Sequence, residues 1–456
     1  MRARFKTLVT IGMAVALASC RADPVAPSKP AADAVAAAAL SAFGARQLPG
    51  MSVVVLEGDT VLLSRSYGYA DLNSRQPVDD GTIFQLGSIS KQFLAAVVVL
   101  LATEGKLSLD DPIVEHVSGL AHVPATVRVR HLLSHTSGIR ELFQLPGALE
   151  AFDDLSRTRA ELMAAVRRAP LDFAPAARWS YSNTNYTLLA ALVEHVAGRP
   201  YEDVIVERLL APLGLRSLRQ CRSVPQGPSE AVGYVWDGTT NVPAAPENME
   251  WIRGDGGFCG TAGDVARWTS LLASGKVVPP EQYAVMARPT RLDSGQDVDY
   301  GFALSLVRPD GLAKVSHGGA MRGYSGQASY YPDRRVAIAV LTNRGDVRAD
   351  AIERAIARAT LGRPAPVHAE VPLALADRGY FVGQFDIGVF TIRVEDRQGR
   401  LWLVTPPPGP TTPLRHIGES TFVSDIEPDG TELRFSADRN AVRLYMGAMH
   451  WYGRRQ

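Results

Sequence analysis

The chain has 456 residues, 46% hydrophobic and 21% charged, enough apolar material for a large core and a length suited to two or three domains. A formal net charge of +1, with no local run of Lys and Arg, excludes a basic field of the kind that gathers nucleic acid. Of 48 basic residues only six are lysine, at positions 6, 29, 91, 106, 276 and 314, so each lysine calls for a reason.

In chain order, the first segment reads as a targeting signal. Arg2, Arg4 and Lys6 make a positive end, and residues 8–18 form an apolar run too short to span a bilayer. The run ends in L-A-S-C, which resembles the lipobox of bacterial lipoproteins. Residues 1–20 are then a lipoprotein signal peptide cut before Cys20, and the thiol of Cys20 carries the lipid that holds the chain to the membrane. Arg21, where inner-membrane lipoproteins carry Asp, points to the outer membrane with the protein facing the periplasm. The Pro- and Ala-rich residues 21–35 read as a tether. Cys221 and Cys259 are the other thiols, and an oxidising compartment invites them to pair. Two buried reduced thiols remain the open alternative.

Beyond the tether, strands are expected at 51–57 and 60–69, turning through Gly58 and Asp59. An apolar helix follows from Ser88 to a stop at Gly105. Residues 110–215 are mostly helical in pattern, interrupted at Gly138, Pro146, Pro170 and Pro175. Thr261 and Asp264 predict a capping box for a helix through Trp268 and Leu272. Strands resume at 302–307 and 314–316, then a hairpin over 327–331 and 335–341, then a helix over 347–361. Strands at both ends with helices inserted between them make an α+β pattern over residues 36–361. Residues 362–379, with Pro364, Pro366 and Pro372, read as a linker. Residues 380–456 show short alternating segments and predict a small all-β, barrel-like domain.

The apolar helix carries the first chemical signal. Ser88 and Lys91 stand at i and i+3, so they share a face. A neutral lysine there can take the serine proton, and the helix N-terminus offers N–H groups to an oxyanion. Val and Leu around the lysine favour its uncharged form. Alone, S-x-x-K also fits a Ser cap and a snorkelling Lys. Tyr181, Ser182 and Asn183 supply a second signal, Y-S-N, which could face the serine across a cleft; alone it fits a solvent turn. The third is V-S-H-G-G-A at 315–320, where Gly318 and Gly319 let a strand backbone approach a substrate closely. H-x-G recurs at His416, so this motif is not unique.

Together the three resemble the family of class C β-lactamases, penicillin-binding DD-peptidases and their esterase relatives, in which S-x-x-K opens the set. L-S-L-D-D-P-I at 107–113, R-H-L-L-S-H-T-S-G-I at 130–139 and G-G-F-C-G-T-A-G-D at 256–264 add to the resemblance, which covers residues 36–361. It implies an antiparallel sheet flanked by helices with an inserted helical region. It also implies an acylated Ser88, general acid–base work shared by Lys91 and Tyr181, and Asn183 bonded to Lys91 and to the substrate amide. The backbone N–H groups of Ser88 and Ala320 would form an oxyanion hole, with His317, Gly318 and Gly319 along the substrate. The segment 131–138 is expected only to pack beneath the cleft.

His317 stands where class C β-lactamases have lysine. A histidine near neutral pH is mostly uncharged and mainly a hydrogen-bond donor, which weakens the case for a β-lactam carboxylate. The expected function is therefore an envelope serine hydrolase of the DD-peptidase or D-amino-acid peptidase type. A short-chain carboxylesterase, a class C-type β-lactamase and a non-catalytic envelope binding module remain as alternatives. The expected partners are a small peptide, ester or β-lactam substrate, peptidoglycan nearby, the membrane through the lipid, and no nucleic acid. No cofactor is implied. No metal is either: His131 and His135 at i and i+4 lack the acidic partner of a zinc helix.

Overall fold

The computed structural model describes residues 32–44, 47–365, 367–387, 390–406, 411–424, 431–446 and 449–456. The signal peptide, Cys20 and the tether up to residue 31 lie outside them.

Two strands explain the first layer. β1 (Gly50–Glu57) and β7 (Val336–Thr342) are runs of Val, Ile, Leu and Ala with almost every side chain buried. They pair antiparallel, Met51 opposite Thr342 and Glu57 opposite Val336. Side chains alternate between faces, so a continuous apolar run requires cover on both sides. Met51, Val53 and Val55 join one core, together with Ile338 and Val340. Val54, Leu56, Ala337 and Ala339 join the other. The first face is covered by α1 (Ala32–Gly44) and α5 (Ala349–Leu361), the second by α4 (Ala262–Ala273).

The remaining strands are β2 (Thr60–Asp71), β3 (Gln76–Pro77), β4 (Ser305–Val307), β5 (Lys314–Met321) and β6 (Tyr324–Tyr331). The seven-stranded sheet runs β4-β5-β6-β7-β1-β2-β3. The inserted region holds α2 (Lys91–Thr103), which is buried on nearly every side, and α3 (Asn183–Ala197), which packs against it. A helix apolar all round belongs in a core.

Several expected boundaries move. β5 does not stop near 316 but continues through the H-G-G-A motif to Met321, because its glycines pair with β6, Gly319 opposite Gly326. Ser88 lies in a tight turn, Gly87–Ser90, and the α-helix proper begins at Lys91. The capping box at 261–264 is half formed. Thr261 accepts the Asp264 N–H, but the Asp264 carboxylate is taken by the Ser217 N–H and hydroxyl. Between 110 and 182 the helices are short, such as Val129–Leu133 and Arg159–Val166, as the Gly and Pro breaks require.

Eight strands, from β8 (Gly383–Asp386) to β15 (Met449–Arg455), close into an antiparallel barrel. Its strands alternate: Ile392 and Val394 point inward while Arg393 is exposed. Phe381, Phe385, Phe422 and Phe435 fill the interior edge to face, at centroid distances of 4.9 to 5.6 Å. Among the described residues these rings join Ile392, Val394, Leu403 and Leu444 in one buried apolar cluster.

Candidate active site

The turn before α2 is held open by backbone. Gly87 takes φ +52°, and a Cβ on it would come within 2.7 Å of the Ala320 nitrogen. A Cβ on Gly319 would overlap the carbonyl oxygen of Leu86. β5 therefore lies directly on the turn that carries Ser88, and the main chain of Ala320 comes beside it.

Lys91 is fully buried at the start of α2. Its Nζ lies 2.9 Å from Ser88 Oγ, 2.8 Å from Asn183 Oδ1 and within hydrogen-bond reach of the Asp255 carbonyl oxygen. Burial lowers its pKa to about 8, against the pull of the Asp255 and Glu141 carboxylates. The Tyr181 hydroxyl bonds the Ser88 side chain, and Lys91 Nζ sits 5.0 Å from the centre of the Tyr181 ring. Burial raises the Tyr181 phenol well above its ordinary range, so it stays protonated.

The structure thus brings Ser88, Lys91, Tyr181 and Asn183 together, with the main chain of Ala320 alongside. It also brings in residues that motif spacing does not mark. Glu141 is buried and accepts both the Asn183 N–H and, at 2.7 Å, the Asn183 side-chain N–H. That contact orients the amide, leaving Oδ1 for Lys91. With both its oxygens accepting, Glu141 is suited to be a carboxylate, although burial raises its pKa. Asp255, in the run R-G-D-G-G, supplies the lysine's third acceptor from its main chain; burial pushes its carboxyl up to about 6. The segment 131–138 does more than pack. The His135 Nδ1 accepts the Ser182 N–H at 3.1 Å, and its ring lies 4.2 Å from that of Tyr181.

His317 differs from expectation. Its Nδ1 lies 2.6 Å from the Gly318 carbonyl oxygen, which can only accept, so Nδ1 carries the proton. Nε2 is then the acceptor for the Tyr300 hydroxyl at 2.9 Å. Burial, then the Lys91 charge, lower its pKa to about 3. The ring is a neutral, internally bonded wall of the site and not a free donor.

Cys221 and Cys259 form a disulfide, joining the short strands Arg219–Gln220 and Phe258–Gly260 behind the site. Among the described residues no group of three or more His, Cys, Asp or Glu is placed to hold a metal ion, and no helix is long and apolar enough to cross a membrane.

A family model described as Beta-lactamase matches residues 35–362. A penicillin-binding protein of Bacillus subtilis is 30% identical over 310 residues, covering 64% of this chain and 68% of its own length. A D-aminopeptidase of Cereibacter sphaeroides is 29% identical over 319 residues, covering 70% of this chain and 61% of its own. Among solved structures, an octameric penicillin-binding protein homologue from Pyrococcus abyssi superposes with a TM-score of 0.65 at 25% identity, over 92% of this chain and 99% of that one.

Proposed function

The chain belongs to the Beta-lactamase family, and from that premise we propose that it is a serine hydrolase that cleaves the amide of a D-amino acid or D-peptide with a free amino end, through an acyl-enzyme on Ser88. The observation that carries the chemistry is the set of acceptors around Lys91. Two of the three, Asn183 Oδ1 and the Asp255 carbonyl, have no proton to give. A neutral amine spends its two hydrogens there, and its lone pair is left facing Ser88 Oγ.

In the proposed cycle Lys91 takes the Ser88 proton as Oγ attacks the substrate carbonyl. The oxyanion is met by the N–H groups of Ser88 and Ala320. The Tyr181 hydroxyl gives its proton to the leaving nitrogen as the C–N bond breaks, and Lys91 restores it. Water then attacks the ester, giving its proton to the same pair, and Ser88 leaves as the alcohol.

The substrate end rests on charge. A DD-peptidase or β-lactamase substrate presents a carboxylate beside the scissile bond, and a cation suits it. Here His317 is neutral and Lys91 is bound to carbonyls, while Arg322, two residues past Ala320, pairs with Asp153. The carboxylates of Glu141 and Asp255 lie inside. That balance favours a substrate ammonium over a carboxylate, and the D-aminopeptidase relative fits it. We place the enzyme on the periplasmic face of the outer membrane, held by a lipid on Cys20, on the strength of the L-A-S-C ending. The test compares hydrolysis of D-alanine p-nitroanilide, its L isomer, p-nitrophenyl acetate and an N-acetylated D-alanyl-D-alanine peptide. Preference for the first supports this reading. Preference for the blocked dipeptide would replace it with a carboxypeptidase, and preference for the acetate with an esterase.

A further inference from the structure

The aromatic wall behind the site does not belong to the core of the catalytic domain. Trp179, Leu292, Val298 and Tyr300 are buried in one cluster with the barrel's Phe381, Phe385 and Leu444. Their cover comes from the barrel.

The contacts there are specific. On the barrel's last strand, β15, the Tyr452 oxygen accepts the Asp299 N–H at 2.6 Å, and its ring meets the Trp179 ring edge to face at 5.9 Å. Arg443 Nη1 and the Tyr445 hydroxyl donate to the Asp299 carboxylate at 3.0 and 3.2 Å. Arg178 pairs with Asp386 at 3.3 Å. The next residues inward are the chemical ones. Tyr300 follows Asp299, bonds His317 and lies 5.6 Å from Trp179. Trp179 stands two residues before Tyr181, and the His135 ring lies 5.2 Å from that of Tyr300 and 4.2 Å from that of Tyr181. The walls that carry the second and third motifs therefore meet at one aromatic cluster, and the barrel closes it.

We propose that the C-terminal barrel is a positioning element of the active site: through Tyr452 and Arg443 it fixes Asp299–Tyr300 and Trp179, and through them the placement of His317 and Tyr181. This rests on the hydrolase reading for its kinetic consequence but not for its structural one. Tyr452 and Arg443 touch no reacting atom; they act through Asp299 and Trp179. A misplacement of about 1 Å at a reacting group is enough to cost about a hundredfold in rate.

The experiment uses the full chain after Cys20, with Tyr452→Ala, Tyr452→Phe and Arg443→Met. Kinetics on D-alanine p-nitroanilide are read with amide hydrogen exchange. In Tyr452→Ala, kcat is expected to fall about tenfold or more with KM within about twofold. Exchange at 178–182 and 297–301 should rise at least about tenfold, while 91–103 stays protected as in the parent. Tyr452→Phe keeps the ring on Trp179 and should recover most of the rate, and Arg443→Met should fall between. Unchanged exchange in those two segments overturns the proposal, and so does unchanged kcat once the barrel contact is lost. If the parent itself cleaves none of the substrates, the hydrolase reading fails, and the exchange data alone decide the clamp. If Tyr452→Ala unfolds, the other two variants carry the same comparison.

Discussion

Lys91 has three acceptors and, as a neutral amine, only two hydrogens; that difference makes it the base. With its pKa at about 8, the free amine predominates only above that pH. On a substrate with no ammonium of its own to titrate, such as p-nitrophenyl acetate, the expected kcat/KM therefore climbs with pH through a midpoint near 8 and levels off above it. Replacing Asp255 by Asn removes an anion that holds the lysine's pKa up, so the midpoint should move to lower pH. A pH–rate profile of each protein reads both effects. Glu141 works at one remove, through Asn183. In Glu141→Gln the new amide turns its own N–H toward one of the Asn183 donors, so kcat should fall about ten- to a hundredfold while KM changes little. Ser88, Lys91, Tyr181 and Asn183 were readable because three short motifs together resemble a known family, which implied their roles; alone, each motif fitted a bland alternative. Glu141 and Asp255 were not, because each is a lone acid whose partner lies far away in sequence. Local charge gave no signal either, since Glu141 follows Arg140 and Asp255 lies two residues after Arg253.

At the level of elements, the cleft depends on two backbones lying nearly in contact. Gly319→Ala would drive a methyl into the Leu86 carbonyl, so β5 or the Ser88 turn must move. Activity should be lost by at least about a hundredfold while the circular dichroism spectrum stays native. The Cys221–Cys259 bond closes a span of 38 residues beside the same turn. On loop-entropy grounds, Cys259→Ser should lower unfolding stability by about 3–4 kcal/mol, read by chemical denaturation without reductant. The hairpins β1–β2 and β6–β7 were legible as strand-like segments on either side of a short turn, although β6 begins at Tyr324 and not at 327. The extent of β5 was not, because glycine has low strand propensity and only pairing with β6 holds it there. The His317 ring was misread for a related reason. Its partner Tyr300 is near in sequence, yet nothing in the intervening 16 residues signals that the two side chains meet.

At the scale of the whole molecule stand a second domain and a proposed address. A barrel was foreseeable from short alternating strands, but its closure and its filled interior were not, since alternation alone does not count strands around a ring. Its seat against Trp179 and Asp299 was likewise hidden, because the contacts join residues more than a hundred positions apart. For the address, Cys20→Ala should move the protein from the membrane pellet to the soluble periplasmic fraction, read by fractionation and by the loss of the lipid mass. The central claim is that Ser88 becomes acylated, and its most direct test is rapid-quench intact-mass spectrometry with D-alanine p-nitroanilide, on the parent and on Ser88→Ala. The account predicts a transient D-alanyl mass increment that maps to the peptide containing Ser88 and is absent from the variant. Turnover without any increment, or an equal increment on Ser88→Ala, would contradict it.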